Sequence, residues 1–487
     1  MTQQLHSINP EAKLIEVHCD DHLVPSKPSG PDEPACPEGH QVRWSPGSGC
    51  TLSAFLAQHI SDLDIGSIEV VEWPPAERVF GDVYHRIKSE VRHFLQERRA
   101  TVHTTGKFGR LWLRNTIKRI AALPTLINTL EIHAPIIIAA SGPSLEKSIP
   151  LLHRYQESLF IMALPSSILA LEHAGIHPDM IVHSDPGFFA EYHTRAPRSS
   201  GAVTIEAAPL YSNGYRQNFS RLLVLSTDNP IEQFFTHTLK MSPTSLDSHG
   251  TVAGIAFQLA IELSNPAAHG TLPADHHRRP VVFCGLDFCF KDILGHTTPH
   301  SFDPLLFSSH SRLEPIQDVF YKRSPRAQYD NICQTYALER YAVWFQNLSP
   351  AYRNQIFRLF PSEVEIDAFT NIDASGFVDL LAGYLNAGRT HTWTAETQRI
   401  PVSKINAALI HYAHTLHSQY DEFATRAAGS LLHTLRAYPL LLEFVQYTDY
   451  PILFKLQRGT ADFSQLQKSV ENHLEEIDSI IQAVQLT

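Results

Sequence analysis

A doubly wound, mostly parallel α/β sheet is what this sequence predicts, and three observations predict it. From Pro135 onward, short apolar runs alternate with helical stretches. Strands fit 135–140, 159–163, 180–183, 202–206, 222–225 and 281–284, and helices fit 144–154, 166–174, 230–239, 251–263 and 333–346. The runs are short and nearly all apolar, as befits strands buried on both faces. The residues that follow them are small and polar, and ligands on such sheets gather beyond the strand C-termini.

The chain is organised around Ala134-Pro-Ile-Ile-Ile-Ala-Ala-Ser-Gly-Pro-Ser-Leu145. The apolar run stops at Ser141-Gly-Pro-Ser144, and a helix follows. Ser144 is a natural N-cap, so the first-turn amides would be left free for an anion. Gly142 would let backbone approach a phosphate, with Ser141 and Ser144 adding hydroxyls. The turn matches neither of the standard glycine-rich phosphate loops, so an ordinary strand-to-helix connection fits it equally well. Asp185 ends another strand, where it either accepts from a ribose or sugar hydroxyl or caps the turn with Pro186. Gly250-Thr251 opens a helix, and Asp287 after Gly285 reads more as a brace for its loop than as a chemical group.

Three domains are expected: 1–125, 126–372 and 373–487. In the first, six prolines between Val24 and Gly49 mark a loop-like arm. Ile68-Glu-Val-Val71 reads as a short strand, and helices fit 83–98 and 108–123. After about residue 372 the sheet pattern gives way to apolar seams at three- and four-residue spacing. Ile405, Leu409, Tyr412 and Leu416 form one, and Leu466, Val470, Leu474, Ile477 and Ile481 form another, as in a helical bundle.

Composition excludes several classes. Hydrophobic residues make up 43% of 487, enough for a large core, and the net charge of −11 comes with no basic block, against avid nucleic-acid binding. No apolar stretch approaches the ~20 residues a bilayer span needs. The first residues lack the pattern of a secretory signal, and six cysteines in so long a chain make no disulfide framework, so the cytoplasm is the expected compartment. The 28 histidines invite a metal. Yet His276-His277 are adjacent on a loop, His296 and His300 are split by Pro299, and Cys36, His40 and Cys50 lack a clear fourth ligand. Asp62-Leu-Asp64 precedes a strand rather than following one and reads as a solvated turn. No metal and no resident cofactor are expected.

Three segments together carry more than a generic sheet: Ile136 to Leu145; Ala174-Gly-Ile-His-Pro-Asp-Met-Ile-Val-His-Ser-Asp-Pro186; and Ser248-His-Gly-Thr-Val-Ala253 with Val282-Phe-Cys-Gly-Leu-Asp-Phe288 and then His296. In order and spacing they resemble the motility-associated-factor glycosyltransferases, a family with a domain also described as 6-hydroxymethylpterin diphosphokinase-like. The resemblance spans about residues 100–350 and includes Thr105-Gly-Lys-Phe-Gly-Arg-Leu-Trp-Leu-Arg-Asn115 as a lead-in. More distantly it is similar to bacterial sialyltransferases.

The resemblance implies a Rossmann-like fold and transfer of a nonulosonic, sialic-acid-like sugar from its cytidine-monophosphate donor to Ser and Thr of flagellin, without metal. It places Ser141, Gly142, Pro143, Ser144, Asp185, Gly250, Thr251, Gly285 and Asp287 around the nucleotide sugar. His296 matches a family histidine and is the first candidate for the base, with His300 second; a histidine titrating near neutrality suits that task. The distant sialyltransferases carry their base later, where this chain has Ala327-Gln-Tyr-Asp-Asn-Ile332 and no histidine. Tyr321 and Tyr329 fit their phosphate ligands only loosely. The C-terminal helices would hold the protein acceptor or pair protomers. Two other readings stay open: an ATP- and Mg²⁺-dependent pterin diphosphokinase using Asp185 with Asp287, and a non-catalytic flagellin-binding protein.

Overall fold

The computed structural model describes residues 13–23, 41–194, 204–213, 220–246, 250–265, 278–291, 294–316, 333–385, 392–426 and 431–485. They gather into two compact units, residues 1–110 with 422–473, and residues 111–421 with 474–487.

In the first unit, β1 (Leu14–Val17) pairs in parallel with β2 (Gln41–Trp44). Within the expected proline arm, β2 and the turn after it are described, while residues 24–40 lie outside the described residues. The strand expected at 68–71 does not form: Val70 and Val71 are exposed and unpaired in any sheet. Pro74 instead opens the helix Pro74–Ala121, as proline at a first helical position does, and the two expected helices are one run with a non-helical residue at Gly81. Trp44, Leu52, Phe55, Ile65, Phe94 and Tyr450 share a buried cluster there. The Asp62-Leu-Asp64 triplet is the expected turn, but its carboxylates are engaged, Asp62 with Arg98 and Asp64 with Arg436.

The second unit holds an eleven-stranded sheet. Its strands in chain order are β3 (Thr125–Ile132), β4 (Ile136–Ala139), β5 (Phe160–Ala163), β6 (Met180–Val182), β7 (Ile205–Pro209), β8 (Arg221–Ser226), β9 (Thr244–Ser245), β10 (Val281–Cys284), β11 (Ile356–Leu359), β12 (Thr370–Ile372) and β13 (Trp393–Gln398). Across the sheet they run β12-β11-β10-β4-β5-β6-β7-β8-β3-β13, with β9 added to β8. All neighbours are parallel except β13, which runs antiparallel to β3. The expected α/β class and its mostly parallel sheet are therefore present. So is a strand beyond residue 372, where only helices were expected. It sits at the sheet edge, and its sequence, Trp-Thr-Ala-Glu-Thr-Gln, is polar enough to hide it.

Both sheet faces are covered, which is why β4, β5, β6, β7 and β10 are buried at every residue. Ile136, Ile138 and Phe283 pack into one cluster with the helix Val252–Leu263, and Ile137, Ala139 and Val282 into another with Leu145 and Leu152. From β4 the chain steps outward through β5, β6, β7 and β8, and later returns to the opposite side of β4 as β10. The direction of travel reverses there, between β4 and β10. Such a reversal opens a crevice beyond the strand C-termini. No helix among the described residues is long and apolar enough to cross a membrane.

Candidate functional site

At the reversal, the turns after β4 and β10 cross each other. Ala140 N donates to Cys284 O at 2.8 Å and Gly142 N to Gly285 O at 2.7 Å. A Cβ on Gly142 would stand 2.5 Å from Gly285 O, and one on Gly285, whose φ is +70°, would stand 2.4 Å from Ala140 O. Both glycines are thus demanded by the crossing of two backbones, whether or not a ligand approaches.

The N-terminus of the helix Leu145–Tyr155 already has an anion. Asp287 accepts from Ser144 N at 2.7 Å and from Ser144 Oγ at 2.6 Å. The expectation that Ser144 would cap the helix with its own oxygen fails, because the hydroxyl donates to a carboxylate from the loop after β10 instead. The first-turn amide of Ser144 is correspondingly taken. Asp287 is buried and braces its loop, as its position after Gly285 suggested. Behind it, the buried Arg358 donates to Val364 O at 2.9 Å and Asn371 Oδ1 at 3.0 Å, and the Asp287 carboxylate favours its charge against the cost of burial.

Beside this brace lies a group of histidines. Ser141 Oγ and His296 Nδ1 are 3.0 Å apart, and Thr297 N donates to Ser141 O at 2.8 Å, so the 296–297 segment is tied to the β4 turn twice. The His296 and His300 rings stack with centroids 4.5 Å apart and planes 7° from parallel. His193, on the short helix Ala190–Thr194, meets His300 edge-on at 5.4 Å and hydrogen-bonds Ser301. Phe302 packs against His193 at 4.5 Å.

This packing disfavours protonation of all three rings. Burial lowers the His300 pKa to about 3, with the neighbouring His296 and His193 adding to it. Burial likewise lowers His193 to about 4; His296 adds to the shift and Asp185 opposes it. His296 is lowered by burial against the pull of Asp303. Water still reaches the His296 side chain, whereas His300 is buried. The accessible ring is the one able to exchange a proton with a substrate. His300 Nδ1 accepts from Phe302 N, and its Nε2 has no partner among the described residues.

Of the residues expected at the site, Ser141, Gly142, Pro143, Ser144, Gly285, Asp287, His296 and His300 thus come together. Asp185 is exposed after β6 and accepts from Gly187 N at 2.7 Å, the turn-capping arrangement, while its charge still acts on His193. Thr251 caps the helix Val252–Leu263 by accepting from Gly254 N at 2.9 Å, and Gly250 beside it faces open space. Tyr321, Tyr329, His276 and His277 lie outside the described residues. Among the described residues no group of three or more His, Cys, Asp or Glu side chains could hold a metal ion.

Residues 113–292 match the family described as 6-hydroxymethylpterin diphosphokinase MptE-like. The family resemblance carried by the motifs is borne out over that segment, which contains both crossing turns and stops just short of His296. An uncharacterized protein of Treponema pallidum (strain Nichols) is 24% identical over 310 residues, covering 63% of this chain and 64% of the relative's length. Among solved structures, a MAf glycosyltransferase from Magnetospirillum magneticum AMB-1 is similar at 12% identity with a TM-score of 0.46, over 82% of this chain and 63% of that one.

Two parts of the MptE-like segment escaped the sequence reading. Asn115 donates through its side chain to Pro186 O and Tyr211 O, each at 3.0 Å, and so holds the loops after β6 and β7 together. One turn on, buried Arg119 pairs with Glu206 at 2.9 Å, and His183 meets the same carboxylate oxygen at 2.6 Å. Burial alone would raise the Glu206 pKa, but Arg119 and His183 bring it down to about 2. Nothing in a linear sequence pairs residue 119 with 206. His193 was missed for a similar reason, since it joins His296 and His300 only through the fold.

Proposed function

We propose that the chain is a glycosyltransferase that moves a nonulosonic sugar from cytidine monophosphate to Ser or Thr hydroxyls of flagellin. The observation that carries this reading is the hydrogen bond between Ser141 and His296 in the crevice between β4 and β10. In the tautomer whose Nδ1–H donates to Ser141 Oγ, Nε2 of the water-accessible His296 ring is the nitrogen left to take a proton. In the transfer, the acceptor oxygen bonds to the anomeric carbon while the bond from that carbon to the phosphate oxygen breaks. The hydroxyl proton passes to His296, and the bonding electrons leave with cytidine monophosphate. The N-terminus of the helix Val252–Leu263, beside open space at Gly250, supports a phosphate site that needs no divalent ion, since only one phosphate departs.

The test is to incubate the protein with a cytidine-monophosphate-activated nonulosonic acid and unmodified flagellin in EDTA, reading flagellin mass. A sugar-sized increment is expected, with His296→Ala slower by about 100-fold or more. Flagellin that stays unmodified at saturating donor overturns the reading.

The description of the matched family favours a second reading, an ATP-dependent pterin diphosphokinase. It would draw on Asp185 and Asp287 for Mg²⁺, yet Asp287 has both oxygens on Ser144 and Asp185 closes a turn. Formation of AMP and a pterin diphosphate from 6-hydroxymethylpterin, ATP and Mg²⁺ would establish that reading instead.

A further inference from the structure

The helix Pro74–Ala121 carries a charge pattern for which the central crevice has no use. Every charged side chain between Glu97 and Glu131 is basic, in a chain whose net charge is −11. Arg99, His103 and Lys107 recur every four residues and so stand on one helix face. None has an acidic neighbour three or four positions away, so no carboxylate along the helix offsets the charge of Arg99 or Lys107.

All three line a groove of about 700 Å³ within the first unit, together with Arg458 just after the helix Tyr450–Gln457. Its lining is otherwise mostly apolar, with Tyr450 and Phe454, ring centroids 5.2 Å apart, supplying aromatic surface. No acidic residue lines it. The carboxylates closest in sequence to lining residue Ile65, Asp62 and Asp64, are already held by Arg98 and Arg436. Among the described residues Arg99, His103, Lys107 and Arg458 have no ion-pair partner; Lys107 only overlies the Phe108 ring.

A groove of this volume falls within the ~300–1,000 Å³ of small-molecule sites. Arg99, Lys107 and Arg458 with no anion among them, over an aromatic and aliphatic floor, complement a ligand with a phosphate at one end and a flat apolar body at the other. We infer that this groove binds an organic phosphate of the mononucleotide kind, at a site distinct from the crevice between β4 and β10.

The test is calorimetric titration of the full chain with AMP, with adenosine and inorganic phosphate as separate arms. AMP is expected to bind more tightly than either fragment, and to weaken as salt rises from about 50 to 300 mM. The double variant Arg99→Glu with Lys107→Glu, both exposed, should weaken AMP at least tenfold. Gly106→Leu tests the apolar side without touching charge: a Cβ there already stands 3.4 Å from Tyr450 Cβ, so a leucine would occupy the groove. Circular dichroism confirms that each variant is folded. AMP affinity unchanged in both variants overturns the inference. So does binding of an acidic peptide or of anionic vesicles in place of AMP.

Discussion

Ser144 gives both its amide and its hydroxyl to the two oxygens of Asp287, 143 positions later in the chain. The turn that follows β4 is therefore shaped by a residue from the loop after β10, and the helix Leu145–Tyr155 begins against a carboxylate supplied by the protein itself. An anion at a helix N-terminus is favoured by the unpaired amides and the dipole. Here that favourable interaction joins the two strands on either side of the crevice.

Asp287→Ala should then destabilise more than a typical surface change. It removes two charge-assisted hydrogen bonds and the anion that favours the buried Arg358, a loss of about 3 kcal/mol. Asp287→Asn keeps an acceptor and should lose about half of that. Urea unfolding of the three proteins measures it; equal midpoints would mean that Asp287 does not brace the turn.

The histidine group makes stability depend on pH with a definite sign. His193 and His300 have folded pKa values of about 4 and 3, below the ordinary value of 6.5. Between those limits the unfolded chain binds protons that the folded chain refuses, so stability is present above about 6.5 and falls as pH drops toward 4. His193→Gln should flatten that part of the curve. Melting temperatures from pH 7 to 4.5 provide the check, and parallel curves for variant and wild type would contradict it.

What could be read in the sequence was local. The apolar runs of β4, β5 and β10 and the helix at 230–239 follow from composition and period, because burial on both faces forces them to be apolar. β13 escaped because an edge strand needs no apolar face, and residues 68–71 misled because two valines there stay exposed. The site divides in the same way. Ser141, Gly142 and Asp287 stand at strand ends and could be named. Their relations could not, since the Asp287 brace and the stacking of His296 on His300 beside His193 are products of strand order.

Arg119 and Glu206 are each about 1% exposed. Glu206→Ala would leave a guanidinium buried without its anion, and Arg119 also serves the Ser212 hydroxyl and carbonyl. A loss of about 3–5 kcal/mol is expected. Because the folded Glu206 pKa is about 2, against an ordinary 4.5, its contribution is present above about pH 4.5 and is lost only as pH falls toward 2. Chemical denaturation at pH 7 and pH 3 separates the two states; a variant as stable as wild type at pH 7 would show that the pair merely offsets its own burial.

Glu232 has the opposite sign. It caps the turn after β8, accepting from Ser226 Oγ and Thr227 N, each at 3.0 Å, while its other oxygen is buried with no partner among the described residues. Burial raises its pKa to about 7, which the hydrogen bonds from Thr227 and Ser226 only partly oppose. The folded chain thus holds a proton between pH 4.5 and 7 that the unfolded chain releases, and this contribution to stability is lost as pH rises through 7. Glu232→Gln keeps an acceptor and cannot ionise. The variant should melt close to wild type at pH 4.5 and several degrees higher at pH 8.5, where wild type carries a buried charge at a cost on the order of 3 kcal/mol. A wild type that loses nothing to the variant between those two pH values would mean that burial does not raise the Glu232 pKa.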